Sequence, residues 1–155
     1  MHLNEQALQQ YLYDHIPLSQ AMQVTVRRAH ADELVLTAPL APNINHRSTI
    51  FGGSASAVAI LSAWSLLHVR LTSAKLDARL VIQSNTMHYE LPIGGAFTAR
   101  AFIEDPAEWQ QFLRMLSRKG RARIAVTSIL EYEGKQAGRL RGEFVALTPE
   151  KDSHD

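Results

Sequence analysis

Apolar positions along this chain recur with two different periods, and Gly or Pro marks several of the boundaries between segments. Leu8, Tyr11, Leu12 and Ile16 fall at helical spacing, with Asn4 placed to cap the start and Pro17 to mark the end. Residues 1–18 therefore read as a short amphipathic helix. Met22, Val24 and Val26 alternate with Gln23, Thr25 and Arg27. Leu34, Leu36 and Ala38 repeat that alternation beyond a turn at Ala31-Asp32-Glu33, which predicts a hairpin. A loop rich in Pro and Asn then covers 39–49 and runs through Ile50-Phe51 into Gly52-Gly53-Ser54.

A long helix is predicted over about 52–73. Ala57, Leu61, Trp64 and Leu67 share one face, but the other faces are Ala, Ser, Ile and Val. A helix apolar nearly all round is enclosed by protein. Strands follow at 80–90 and 96–104, broken by Pro92 and Gly94-Gly95. Asp105-Pro106-Ala107-Glu108 is a helix start, with Asp105 as N-cap, Pro106 as first helical residue and Glu108 as capping-box partner. Trp109, Phe112, Leu113 and Leu116 form its apolar stripe, and Gly120 ends it. Strands at 121–133 and 137–147, joined by a turn at Gly134-Lys135, complete the order. The expected architecture is α+β, with six antiparallel strands wrapped on one central helix. No linker divides the chain, so 1–155 reads as one domain with a frayed tail over 149–155.

Composition narrows the function classes. With 46% apolar and 20% charged residues, a chain of 155 residues can build a core. A net charge of +1 argues against a generally basic nucleic-acid binder. The absence of cysteine removes disulfides, thiolate metal sites and a Cys nucleophile, and the seven histidines show no His-Glu-x-x-His spacing, so no metal is expected. Residues 48–67 carry no charge and are long enough to span a bilayer, yet Gly52, Gly53 and several serines interrupt them. A buried helix is the expected reading. No cationic and apolar export signal occupies residues 1–12, and a cytoplasmic location is expected.

Three segments carry a family resemblance: Asn43-Ile44-Asn45-His46 through Phe51-Gly52-Gly53-Ser54; Met87-His88-Tyr89-Glu90-Leu91-Pro92-Ile93-Gly94-Gly95; and Gly120-Arg121-Ala122-Arg123-Ile124-Ala125-Val126 with Gly134-Lys135-Gln136-Ala137-Gly138. In this order and spacing, over about 20–148, they resemble the hotdog-fold thioesterases. The first segment is most similar to the thioesterase family also found as the C-terminal half of some acetyltransferase fusions. The resemblance implies a hotdog fold, hydrolysis of an acyl-CoA or acyl-carrier-protein thioester, and no cofactor beyond the coenzyme A of the substrate. It also implies a homodimer or a dimer of dimers, with the 80–90 strand as seam and active sites between subunits. An apolar edge strand left open would be an aggregation hazard.

Thioester hydrolysis needs a polarised carbonyl and an activated water. The free N–H groups and positive dipole end of a helix N-terminus can stabilise an oxyanion, and Gly52 and Gly53 let a carbonyl approach the backbone. The plainer reading is that Gly-Gly only permits a tight turn. His46 is a candidate general base, and Asn43 and Asn45 candidate holders of thioester or water. Against this, the asparagines would merely shape the loop and His46 would be a surface residue. Gly52, Ser54, Phe51, Trp64 and Met87 are the expected substrate-binding residues, the last three lining an acyl tunnel.

One departure stands out. Many hotdog thioesterases carry a carboxylate about two turns into the central helix, and this helix has none from 48 to 67. Ser56 and Ser62 are weak substitutes. Glu90 and Asp77 are alternative sources, including from a partner subunit. Arg114, Arg118, Lys119, Arg121 and Arg123 form a basic run with no acid among them. By analogy with the family, Arg121 and Arg123 would hold coenzyme A phosphates or an acidic carrier protein; otherwise they are solvated. Two rivals remain beside hydrolysis: a non-catalytic acyl-thioester-binding module, favoured by the missing helix carboxylate, and a hydratase or dehydratase, disfavoured by it.

Overall fold

A computed structural model describes residues 3–149. The predicted tail therefore lies, from residue 150 on, outside the described residues, as do residues 1 and 2. The helices are α1 (Glu5–His15), α2 (Pro17–Ala21), α3 (Gly52–Ser73) and α4 (Pro106–Lys119). The strands are β1 (Thr25–Ala29), β2 (Leu34–Ala38), β3 (Arg79–Tyr89), β4 (Phe97–Phe102), β5 (Arg121–Tyr132) and β6 (Lys135–Leu147). All strand pairs are antiparallel, in the order β1-β2-β4-β5-β6-β3.

The six-stranded sheet wraps α3, as the patterning predicts. Val58, Ala59, Ala63, Leu66 and Leu67 are wholly buried on α3, against Leu34, Leu36, Ala99, Leu140 and Phe144 of the sheet. Each fully buried leucine is worth about 1.5–3 kcal/mol relative to exposure. The bilayer-length apolar helix is thus the core helix of this fold. Inward positions of β5 are the even ones, fixed by the Ser62–Ser128 hydroxyl contact at 2.7 Å. Through the register, Leu80, Ile82, Asn85, Met87 and Tyr89 are the inward positions of β3.

Some boundaries differ from expectation. The first helix stops at His15 and Pro17 opens a second short one, because proline is tolerated at a helix's first position. Met22 and Val24 are buried but precede the ladder, since Gln23 adopts a positive φ of 56° and Val24 N–H closes back onto Ser19. Asp105 does cap α4, but through the amide of Ala107 (3.0 Å) rather than that of Glu108. The last turn falls one residue early: Glu133 and Gly134 both have positive φ, as a two-residue type I′ hairpin requires, and Lys135 already pairs with Tyr132.

The two sheet edges are finished differently. On β1, the backbone N–H groups of Val26 and Ala29 donate to the side chains of Gln9 (3.0 Å) and Glu5 (3.2 Å) from α1. On β3 no described element covers the outer edge, and Val81 and Ile82 stand 44% and 37% exposed.

Candidate active site

The first turn of α3 begins at Phe51, whose side chain offers no cap. Ala55 is the first residue to close a helical bond, to the Phe51 carbonyl at 3.0 Å. The amides of Gly52, Gly53 and Ser54 thus have no helical carbonyl behind them and carry the positive end of a 22-residue helix. Gly53 is exposed. The Phe51 ring lies over it so closely that a Cβ there would sit 2.4 Å from a ring carbon.

The loop before this turn is framed by its asparagines. Asn43 is buried, and its side-chain Nδ2 donates to the carbonyls of Met22 (3.0 Å) and Pro39 (2.8 Å) while its backbone carbonyl accepts from Phe51 N–H (2.8 Å) and its Oδ1 is left without a partner among the described residues. Asn45 Oδ1 accepts from the amides of Arg47 (2.8 Å) and Thr49 (3.1 Å), and Nδ2 donates to Thr49 Oγ1 (2.8 Å). A bridge between Ile44 and Ile50 closes the base. Both asparagines therefore do the loop-shaping that was the plainer reading of them. His46 sits exposed on the loop tip, and no hydrogen bond or ion pair among the described residues holds its ring.

The end of β3 reaches this turn. Tyr89 donates its hydroxyl to the Gly52 carbonyl at 3.3 Å, and its ring lies where a Gly52 Cβ would be in contact. A cavity of about 240 Å³ opens beside it, bounded by Ile50, Ala55, Tyr89, Glu90, Leu91 and Leu130 among others. Glu90 is steadied there by Gln136 Nε2, at 3.2 and 3.1 Å from its two oxygens. Met87, half-buried, shares the inward face of β3 with Tyr89. Tyr89 was missed as a site residue from sequence. Its signal was the period-two spacing from Met87.

Other candidates lie elsewhere in the protomer. Trp64 is eleven residues beyond Gly53, about 17 Å along the helix. It stacks with Tyr11 and His68 at centroid distances of 6.4 and 5.0 Å, in the wall of a separate cavity of about 290 Å³ that also holds Asp77. Arg121 and Arg123 open β5, whose far end supplies Leu130 to the first cavity; seven strand positions separate Arg123 from it, about 23 Å. Ser62 is buried and spent on Ala59 and Ser128. Among the described residues no three His, Asp or Glu side chains gather as a metal site.

A buried central helix that opens at Gly-Gly and is wrapped by six antiparallel strands is the arrangement the sequence resemblance implied. Residues 5–148 match the family described as "Putative thioesterase (yiiD_Cterm)". The chain belongs to that family. A solved structure from Chlorobaculum tepidum TLS, of unknown function, is 29% identical with a TM-score of 0.88, and 94% of each chain is covered. A "putative thioesterase" from Shewanella oneidensis is 27% identical, with a TM-score of 0.83 and 94% and 97% of the two chains covered. A thioesterase from Haemophilus influenzae shares the fold at 13% identity, with a TM-score of 0.76 over 99% and 97% of the chains. This YiiD-type thioesterase domain has the hotdog fold.

Proposed function

We propose that the protein hydrolyses acyl thioesters carried on coenzyme A or on an acyl carrier protein, with the thioester carbonyl received at the first turn of α3. The observation that carries this reading is the uncapped, exposed Gly53 turn of a buried helix, set beside a cavity that holds a carboxylate. In the tetrahedral intermediate the carbonyl oxygen gains negative charge, and the Gly53 amide and helix dipole favour that charge over the neutral ground state. Water adds to the carbonyl carbon and gives up a proton. The C–S bond then breaks, leaving a carboxylate and a thiol.

Glu90 is the side chain best placed to take the water's proton. A general base needs a fixed position near the reacting atoms, and Gln136 gives Glu90 one, whereas no described residue bonds the His46 ring. Phe51, Met87 and Leu91 offer apolar surface to the acyl group. The assembly is a homodimer or a dimer of dimers: α1 side chains block the β1 edge and the β3 edge is open for a second copy. A cysteine-free chain suits a reducing cytoplasm.

The test is thiol release from acyl-CoAs and acyl carrier proteins of graded chain length, in wild type, Glu90→Gln and His46→Ala. Wild type turns over, Glu90→Gln slows turnover by about 10²- to 10⁴-fold, and His46→Ala stays within a few-fold. Collapse in His46→Ala with Glu90→Gln active moves the base to His46. Binding without turnover on every substrate supports the non-catalytic binding module, which the carboxylate-free α3 favours.

A further inference from the structure

Helix α4 has two unlike faces. Trp109, Phe112 and Leu116 are buried, with Arg70 of α3 stacked over Trp109 at 5.0 Å. The outward stripe Gln111, Arg114, Met115 and Arg118, spaced i, i+3, i+4, i+7, borders a groove of about 430 Å³ together with Lys119. A second hollow of about 470 Å³ shares Gln111 and Met115 with it and is lined also by Phe112, Arg123, Arg141, Glu108 and Glu143.

Between Arg114 and Arg123 stand five cations and no acid. Among the described residues none of these five has a carboxylate within ion-pair distance. The nearby Glu143 is taken by Arg141 (3.1 Å) and Ser84 (3.0 Å). The helix dipole accounts for Arg118 and Lys119 in the last turn, but not for Arg114 or the two arginines of β5. A chain of net charge +1 thus gathers five cations on one face, around an apolar Met115 that is 43% exposed, with Glu108 and Glu143 beside Arg123 as the neighbouring carboxylates.

We infer that this face docks an acidic helical protein that bears the acyl thioester, a reading that rests on the thioester chemistry proposed above. Arg114 to Lys119 alone spread about 7.5 Å along the helix, and Arg121 and Arg123 extend the patch along β5. Phosphate groups of a small molecule ask for donors converging on one point. A helix with carboxylates on one face asks for cations in a row around an apolar contact. The patch also lies at the useful end of the sheet. Arg121 pairs with Leu147, which pairs with Arg79 at the start of β3, so two strand spacings, about 10 Å, separate the patch from the open edge. A two-fold seam along β3 is necessarily antiparallel. It brings the end of the partner's β3, with the partner's Tyr89 and its α3 N-terminus, toward that point. A docked carrier then serves the neighbouring subunit's site.

The test pairs one acyl group on two carriers, an acyl carrier protein and coenzyme A, in wild type and in Arg114→Glu/Arg118→Glu. Both changes are at exposed positions outside the proposed site. The KM for the protein-borne substrate is expected to rise about tenfold or more, with kcat and the KM for the coenzyme A ester unchanged. Fluorescence anisotropy with a labelled acyl carrier protein reads the contact without turnover: wild type binds, more weakly as salt rises, and the variant loses about tenfold. If wild type binds but hydrolyses neither ester, docking stands and the hydrolase reading fails. Equal KM rises for both esters would assign the patch to phosphates and overturn the inference. So would no binding by wild type at low salt, or binding unaltered in the variant.

Discussion

Asn43 and Gly53 sit ten positions apart, at either end of the loop that leads into the proposed site. Asn43 holds the approach: two backbone carbonyls depend on its amide inside a buried turn. Removing the donor leaves the Met22 and Pro39 carbonyls unpaired, and a buried unsatisfied group costs about 1–3 kcal/mol. Asn43→Ala is therefore expected to lower the free energy of unfolding by that amount in a denaturant titration, with the turnover of the folded fraction altered far less. A collapse of kcat at unchanged stability would instead put Asn43 in contact with substrate. Sequence alone left these two roles open because an Asn before a Gly-Gly turn suits both. Hydrogen-bond partners 21 residues away, such as Met22, give Asn43 its loop-shaping role and have no local signature. Tyr89 was hidden for a similar reason, since its contact with Gly52 spans 37 positions. The helix start at Gly52-Gly53 was legible, because glycine next to a polar-to-apolar change marks such a start whatever the tertiary context.

At the scale of elements, periodicity located all six strands and the three longer helices, and the misses fall at ends. Lys135 reads as a turn residue beside Gly134, yet the I′ geometry places both positive φ values at Glu133 and Gly134. β3 was found as a strand but its packing was not. Its alternation mixes Ser, Asn and Thr with Val, Ile and Met, and it lies almost wholly exposed. The contact between α1 and α3 was equally invisible, because it is built from an interleaved stack of Tyr11, His15, Trp64 and His68. His68 sits in that stack with its pKa held below the ordinary 6.5, first by burial and then by the neighbouring His15. In the unfolded chain His68 binds a proton near its ordinary pKa, while in the fold it resists one. Its contribution to stability is full above pH 6.5 and declines as pH falls toward the lowered folded value. A thermal series from pH 7.5 to 5 is expected to show Tm falling through that window, and His68→Gln to flatten the fall. An identical slope in the variant would place the titrating group elsewhere. Asp77 and Arg79, which line the same cavity, are the charged neighbours to control for.

At the scale of the whole molecule, the two sheet edges of the described residues are unlike, and the proposed second copy would account for the difference. Glu5 and Gln9 bond one sheet edge, while among the described residues nothing covers the other, eleven residues long with Val81 and Ile82 exposed. Natural sheets rarely leave a long edge with apolar residues uncovered, since it templates pairing with any available strand. The separation of the candidate residues points the same way. Tyr89 and Glu90 lie at one end of β3, whereas the cavity of Trp64 and Asp77 lies at the other. An antiparallel seam sets the first end of each copy beside the second end of its partner. Trp64, far from Gly53 within one protomer, would then approach the partner's first turn of α3, as an acyl-tunnel residue must. In light scattering the wild type is expected at twice, or for a dimer of dimers four times, the 17.3 kDa of one chain. Val81→Lys puts a charge on the seam at an exposed position on the outward face of β3. It is expected to give a folded monomer by circular dichroism with thiol release lost. A monomeric wild type at micromolar concentration would remove the seam. A monomeric variant that keeps full turnover would show that each protomer's Gly53 turn and Glu90 suffice alone.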